Sequence, residues 1–185
     1  MAVCLERVQQ EVGDVLEVRW KSFLLRPHPE AKPLEKFRRY TESWMRPAAA
    51  ADAGEFRVWS GDQEPPSHSV PPAVAIKAAA RQGAFARYHM ALMHAYFAEN
   101  RNVTSPETIG EVARECGLDL EAFARDLADP AIAEEVVSDH NEAVALGIHA
   151  VPCVVLDGGF QMPGAQESAL YRSVIEKVLA KRQSS

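Results

Sequence analysis

The sequence predicts an α/β chain, with short strands near its two ends and a long helical block between them. Three observations carry this. From Pro71 to about Gly147, apolar residues recur at helical spacing almost without a break. Near the two ends of the chain, two short segments read as strands of different kinds: Leu16, Val18 and Trp20 alternate with Glu17, Arg19 and Lys21, whereas Val154-Val155-Leu156 is unbroken apolar. The alternation suits an edge strand with one wet face, and the unbroken run an inner strand covered on both faces. Pro152 stands at the mouth of the second run, where a proline that cannot donate to a ladder marks the start of a strand.

The elements follow in order. Met1, Leu5, Val8 and Val12 make one face of an opening helix that Gly13-Asp14 stops. After the alternating strand, Pro27, Pro29 and Pro33 break the chain, and the pattern from Leu34 to Met45 predicts a helix. Residues 46 to 70 are mostly loop. In the helical block, Phe85, Tyr88, Leu92 and Tyr96 form one stripe. Thr104-Ser105-Pro106-Glu107 predicts a helix start with a capping hydroxyl and a proline in the first turn. Ile109, Val112, Ala113 and Cys116 line that helix, and Gly117 ends it as a left-handed cap. Leu120, Phe123, Ala124 and Leu127 make a short helix, and Pro130 starts another carrying Ile132, Val136, Ala143 and Leu146. Asp157-Gly158-Gly159 turns the last strand into a hairpin with Phe160 to Met162, and Leu170, Val174 and Val178 give the final helix its buried face.

Composition narrows the function. Twenty Lys and Arg against twenty-six Asp and Glu give a net charge of −6. No basic block is present, so nucleic acid is not expected as a partner. No apolar stretch approaches the roughly 18 residues of a membrane span, and the start shows no signal-like segment, so the visible chain reads as cytoplasmic. Cys4, Cys116 and Cys153 are too few and too scattered for a disulfide framework or a zinc site. The histidines at 89, 94, 140 and 149 show no metal spacing, and Asp139 and Glu142 beside His140 read as a solvated face.

Gly147, Ile148, Val151 and Pro152, then a strand, a turn and Gly164-Ala165-Gln166, resemble the DsbA-like thioredoxin-fold family, in particular its FrnE-type branch. That branch is related to 2-hydroxychromene-2-carboxylate isomerase and kappa-class glutathione transferase. The resemblance implies a thioredoxin-like domain from residues 1–30 and 148–185, with residues 31–147 as the helical insertion. It implies a cis Val151–Pro152 bond, with the Val151 backbone presented to an extended substrate or to glutathione, and thiol–disulfide exchange as the activity. It also implies a first strand and a Cys-x-x-Cys roughly ten to fifteen residues ahead of the opening helix, and this chain contains neither.

The candidate site residues follow from the same comparison. Val151 and Pro152 are the docking wall; His68, in Ser67-His68-Ser69, and Gln166 are further substrate-binding candidates. Cys153 follows the proline and is a candidate thiol, but a thiol on an inner apolar strand is sluggish, so it reads as a small buried hydrophobe before it reads as a nucleophile. Cys4 has no second cysteine nearby and cannot cycle between dithiol and disulfide alone. Cys116 belongs to the core.

The expected function is therefore a DsbA-like thiol–disulfide oxidoreductase family member, impaired or inactive as this chain. The alternatives are a glutathione-dependent isomerase or transferase-like protein, in which Gly164-Ala165-Gln166-Glu167 would stand where an arginine-bearing motif belongs, and a non-catalytic binding module. No resident cofactor or metal is expected. Glutathione is expected as substrate or ligand, the partners are protein or small-molecule thiols and disulfides, and a homo-oligomer stays open. Lacking its first strand, the sheet should have a gap of about 10 Å, two inter-strand spacings. Either the flanking strands close up, or another chain fills the slot, or the natural protein begins further upstream.

Overall fold

Amphipathic segments separated by proline and glycine breaks give the element order of the structure, a computed structural model in which residues 2–13, 16–49, 54–156 and 159–183 are described. Helix α1 is Ala2–Val12, and residues 16–24, outside any helix or ladder, form the extended segment that follows it. Helices α2 (Leu34–Glu42) and α3 (Met45–Ala48) follow, then α4 (Val70–Arg81), α5 (Phe85–Phe97), α6 (Pro106–Glu115), α7 (Leu120–Leu127) and α8 (Pro130–Ala145). Strands β1 (Cys153–Leu156) and β2 (Phe160–Pro163) precede the last helix, α9 (Ser168–Gln183).

Three apolar clusters hold these elements. The largest joins α4 to α8 around Ala78, Tyr88, Leu92, Val112, Ile132 and Val136, and Leu24 from the extended segment enters it. Tyr88, fully buried, donates its hydroxyl to the Ile109 carbonyl at 3.0 Å, so the ring brings no unpaired polar atom into the core. A second cluster packs Leu5 and Val8 of α1 with Met162 of β2 and Tyr171 and Ile175 of α9. A third is aromatic: Phe37, Trp44 and Trp59 sit edge to face, with Trp44 against Phe97 of α5. Trp59 is anchored there by its backbone N–H, which Thr41 Oγ1 accepts at 3.0 Å.

The hairpin register is Val154 opposite Met162 and Leu156 opposite Phe160, antiparallel, which is the pairing the sequence predicts. Two strand expectations need correction. Among the described residues β1 pairs with β2 alone, and all four of its residues are half-buried, so it is not an inner strand. Leu16 to Lys21 alternates between half-buried and exposed as a strand would, yet forms no ladder. Its continuation is held instead by side chains of α8: the Ser22 N–H donates to Asp139 Oδ2 at 3.0 Å and the Leu24 N–H to His140 Nδ1 at 3.2 Å.

Smaller departures have local causes. Asp139 is not part of a solvated face. It is only 3% exposed, because it falls on the same stripe as Ile132, Val136 and Ala143. Helix α6 starts at Pro106 behind Ser105, but no hydroxyl caps it; Thr104 Oγ1 donates to Asn102 Oδ1 at 2.7 Å instead. The stripe of α9 that is buried is Tyr171 and Ile175, one residue on from the predicted one, and Leu170 and Leu146 lie exposed. Cys116 is buried in the largest cluster, and Gly117 ends α6 with positive φ, as the sequence predicts.

Candidate functional site

The end of α8 aims the chain at the candidate site. Gly147 takes a φ of 75°, its N–H reaching the Val144 carbonyl at 2.9 Å while the Ile148 N–H reaches Ala143 at 3.0 Å. This double bond satisfies the last carbonyls of α8, and the left-handed residue it needs favours glycine. Buried Ile148 then pins the loop, leaving His149, Ala150 and Val151 exposed before Pro152 starts the hairpin. The Val151–Pro152 bond is cis.

The far side of this loop is strapped to β2. The Pro152 carbonyl accepts the Gly164 N–H at 2.8 Å, and Gln161 Nε2 donates to the Leu146 carbonyl at 2.7 Å. Val151 itself has no backbone hydrogen bond among the described residues and is 42% exposed. A backbone donor and acceptor held open at the head of a strand is the arrangement to which an extended chain can add.

Gln166 has partners within the chain. Its Nε2 donates to the Pro163 carbonyl at 2.8 Å and its N–H points to the Tyr171 hydroxyl at 3.3 Å, so the residue fastens the exit of β2 to buried Tyr171. Cys153 is free and half-buried, opposite Pro163. Since Val154 and Leu156 pack toward α1 and α9, the pleat sends Cys153 and Val155 to the other face. Cys116 is in a different cluster, and its thiol pKa is pushed up mainly by burial. The Cys4 side chain lies outside what is described.

His68 sits just before α4, with Nδ1 2.8 Å from Ser67 Oγ. Its segment is tied to residues 26–30: Glu30 N–H donates to the Ser67 carbonyl, and Ser69 N–H to the Arg26 carbonyl at 2.8 Å. No hydrogen bond or ring contact links His68 to Val151 or Pro152 among the described residues.

Two features were missed by the sequence reading. A cavity of about 60 Å³ lies between α1, the extended segment and α5, lined by Leu5, Gln9, Val18, Trp20, Phe85 and His89, among others. His89 stacks on Phe85 with ring centres 5.7 Å apart and packs on Trp20 at 5.5 Å, and its Nδ1 is buried with no hydrogen-bond partner. Burial lowers its pKa. The other is the charge node at Asp139, which Lys77 and Lys21 approach to 2.7 and 3.0 Å. Burial opposes its ionisation, but the bonds from Lys77, the Ser22 N–H and Lys21 outweigh that and hold its pKa below the ordinary value. The i, i+7 spacing of Ile132 and Asp139 was the available signal.

The profile of the DSBA-like thioredoxin domain matches residues 2–176. The chain belongs to that family. Among curated proteins it is similar to the ClpXP adapter protein SpxH of Bacillus subtilis, 24% identical over 147 residues, which is 75% of this chain and 49% of the relative. It thus spans about half the length of that relative. Among solved structures it resembles a putative protein disulfide isomerase from Nitrosomonas europaea, with a TM-score of 0.83 at 14% identity, covering 97% of this chain and 90% of the other. It also resembles the cytosolic disulfide reductase DsbM from Pseudomonas aeruginosa with GSH, with a TM-score of 0.74 at 21% identity over 97% and 92% of the two chains. These likenesses establish the fold: a thioredoxin-like domain, mostly helical, with a small two-stranded sheet. Among the described residues no helix is long and apolar enough to cross a membrane, and no group of three or more His, Cys, Asp or Glu could hold a metal ion.

Proposed function

We propose that this chain is a docking member of the DSBA-like family, which receives an extended thiol- or disulfide-bearing partner against Val151 without carrying out dithiol exchange by itself. The observation that carries the reading is the open backbone of Val151 at the head of β1, in a loop already fixed by Gly164 and Gln161. A pre-fixed receiver loses little further order when it binds. Dithiol exchange needs an attacking thiolate and a resolving partner close by. Here the three cysteines stand at 4, 116 and 153, and Cys116 is buried in a separate cluster from β1.

Glutathione fits the partner class, being a short extended thiol peptide, and the DsbM structure with GSH supports that choice. The cytosolic origin of that DsbM structure supports a cytoplasmic setting for this chain as part of the same reading. The test is a backbone amide titration with oxidised glutathione and with a short cystine-bridged peptide. Saturable shifts centred on Ala150, Val151, Cys153 and Gly164 support docking; shifts confined to the insertion, or none, refute it.

A further inference from the structure

Two histidines from different helices hold the extended segment of residues 16–24. Trp20 packs on His89 of α5, and the rings of Trp20, Phe85 and His89 lie 5.5–5.9 Å from one another. Further along, the Leu24 N–H donates to His140 Nδ1 of α8 at 3.2 Å, and the Phe23 ring meets the same imidazole edge-on at 5.0 Å. Between these two holds, the Ser22 N–H donates to Asp139. From residue 17 to residue 24 no backbone group is bonded to another backbone group among the described residues. The segment therefore depends on side chains where a strand would depend on a ladder.

Both imidazoles hold it only in their neutral form. The Leu24 N–H can donate to Nδ1 only while that nitrogen is bare, and a proton placed there would set donor against donor. His89 Nδ1 is buried without a partner, and the cavity beside it is lined by Leu5, Gln9, Val18 and Met90 among others, none of them charged. A charged imidazole there would be desolvated with nothing to offset it. Burial lowers the His89 pKa, so the packed form is favoured above 6.5 and loses ground as pH falls through the lowered value. Around His140 the carboxylates are already engaged. Lys21 Nζ lies 3.0 Å from both Asp139 and Glu142, and Lys77 of α4 lies 2.7 Å from Asp139 and 2.6 Å from Glu135. Among the described residues neither His89 nor His140 is ion-paired with a carboxylate.

The middle hold behaves differently. Asp139 is kept ionised below its ordinary value, so its bond to the Ser22 N–H survives mild acid. Histidine is the side chain whose charge changes between pH 5 and 8. We propose that residues 20–24 form an acid-released strap: protonation of His89 and His140 frees Trp20 from α5 and Leu24 from α8, with Ser22 still pinned at Asp139 and the rest of the insertion folded. Trp20 is also a wall of the cavity of about 60 Å³, so release opens that cavity to solvent. The strap needs neither Val151 nor a bound peptide, and it stands or falls separately from docking.

The test follows the parent chain by amide, indole and imidazole NMR from pH 7.5 to 5.0. The Leu24 amide should titrate with the midpoint of the His140 ring, and its exchange protection should fall by about tenfold, the loss of one hydrogen bond. The Trp20 indole should titrate with His89. Amides of Val112 in α6 and Phe123 in α7, both in the largest cluster, should stay unmoved, which separates local release from unfolding. In His140→Asn a side-chain oxygen takes the place of Nδ1 and does not titrate, so the Leu24 transition should vanish while that of Trp20 remains. His89→Phe should do the reverse. Leu24 and Trp20 resonances that stay constant over this range, that move only together with Val112 and Phe123, or that titrate unchanged in the two variants overturn the strap.

Discussion

Lys77 Nζ lies 2.7 Å from Asp139 Oδ2, and the same oxygen accepts the backbone N–H of Ser22 at 3.0 Å. One buried carboxylate therefore joins α4, α8 and the extended segment after α1. It stands in for part of what a neighbouring strand would supply to that segment, a hydrogen-bond acceptor at alternate residues. His140 does the same for Leu24.

Asp139→Asn should destabilise the protein by about 1–3 kcal/mol, the cost of leaving buried polar groups badly paired. Lys77 keeps Glu135 at 2.6 Å, so the loss falls short of exposing a bare buried charge. The pH dependence follows from the direction of the shift. Asp139 is held below its ordinary value of 3.8 in the fold, so its contribution is present above that value and is lost as pH falls through the lowered one. Urea denaturation from pH 6 downward should show a shallower acid limb in the Asn variant.

His89→Phe should stabilise the chain, or leave it unchanged, near pH 7, since the unpartnered Nδ1 disappears and the adjacent cavity of about 60 Å³ has room for the larger ring. The gain should widen in mild acid. The folded pKa of His89 lies below 6.5, so between the two values the unfolded chain binds the extra proton and stability falls as pH drops from about 6.5. Thermal melts at pH 7.5 and 5.5 check this: the difference between them should be smaller in the Phe variant.

Gln166→Ala should cost no more than about 1 kcal/mol, because the bond from Nε2 to the Pro163 carbonyl is exposed. With its amide committed to the chain's own backbone, the side chain should matter little for peptide docking. A peptide titration repeated on this variant checks that. Loss of binding with the fold retained would return Gln166 to the substrate side.

Helical periodicity made most of the insertion legible, because burial of one face is a local property of the sequence. Pairing is not local. The alternation from Leu16 to Lys21 shows in the exposure pattern, but whether it becomes a strand depends on a neighbour the segment cannot encode. The unbroken Val154 to Leu156 run implied cover on both faces for the same reason and received less. In α9 two apolar stripes lie one residue apart, and packing against Leu5 and Met162 selected Tyr171 and Ile175 over Leu170. Asp139 was hidden by its chemistry, since a carboxylate reads as surface unless the lysines that will meet it are known. Of the candidate site, Val151 and Pro152 were readable from Gly147 and the apolar run after them.

The account is tested most directly by one assay with a fluorescent cystine-bridged peptide, in which binding and disulfide consumption are read together in the presence of excess thiol reductant. The prediction is saturable binding with disulfide consumed no faster than by the reductant alone, and no change in Cys4→Ser or Cys153→Ser. Catalytic consumption by the parent chain that disappears in either serine variant would contradict it.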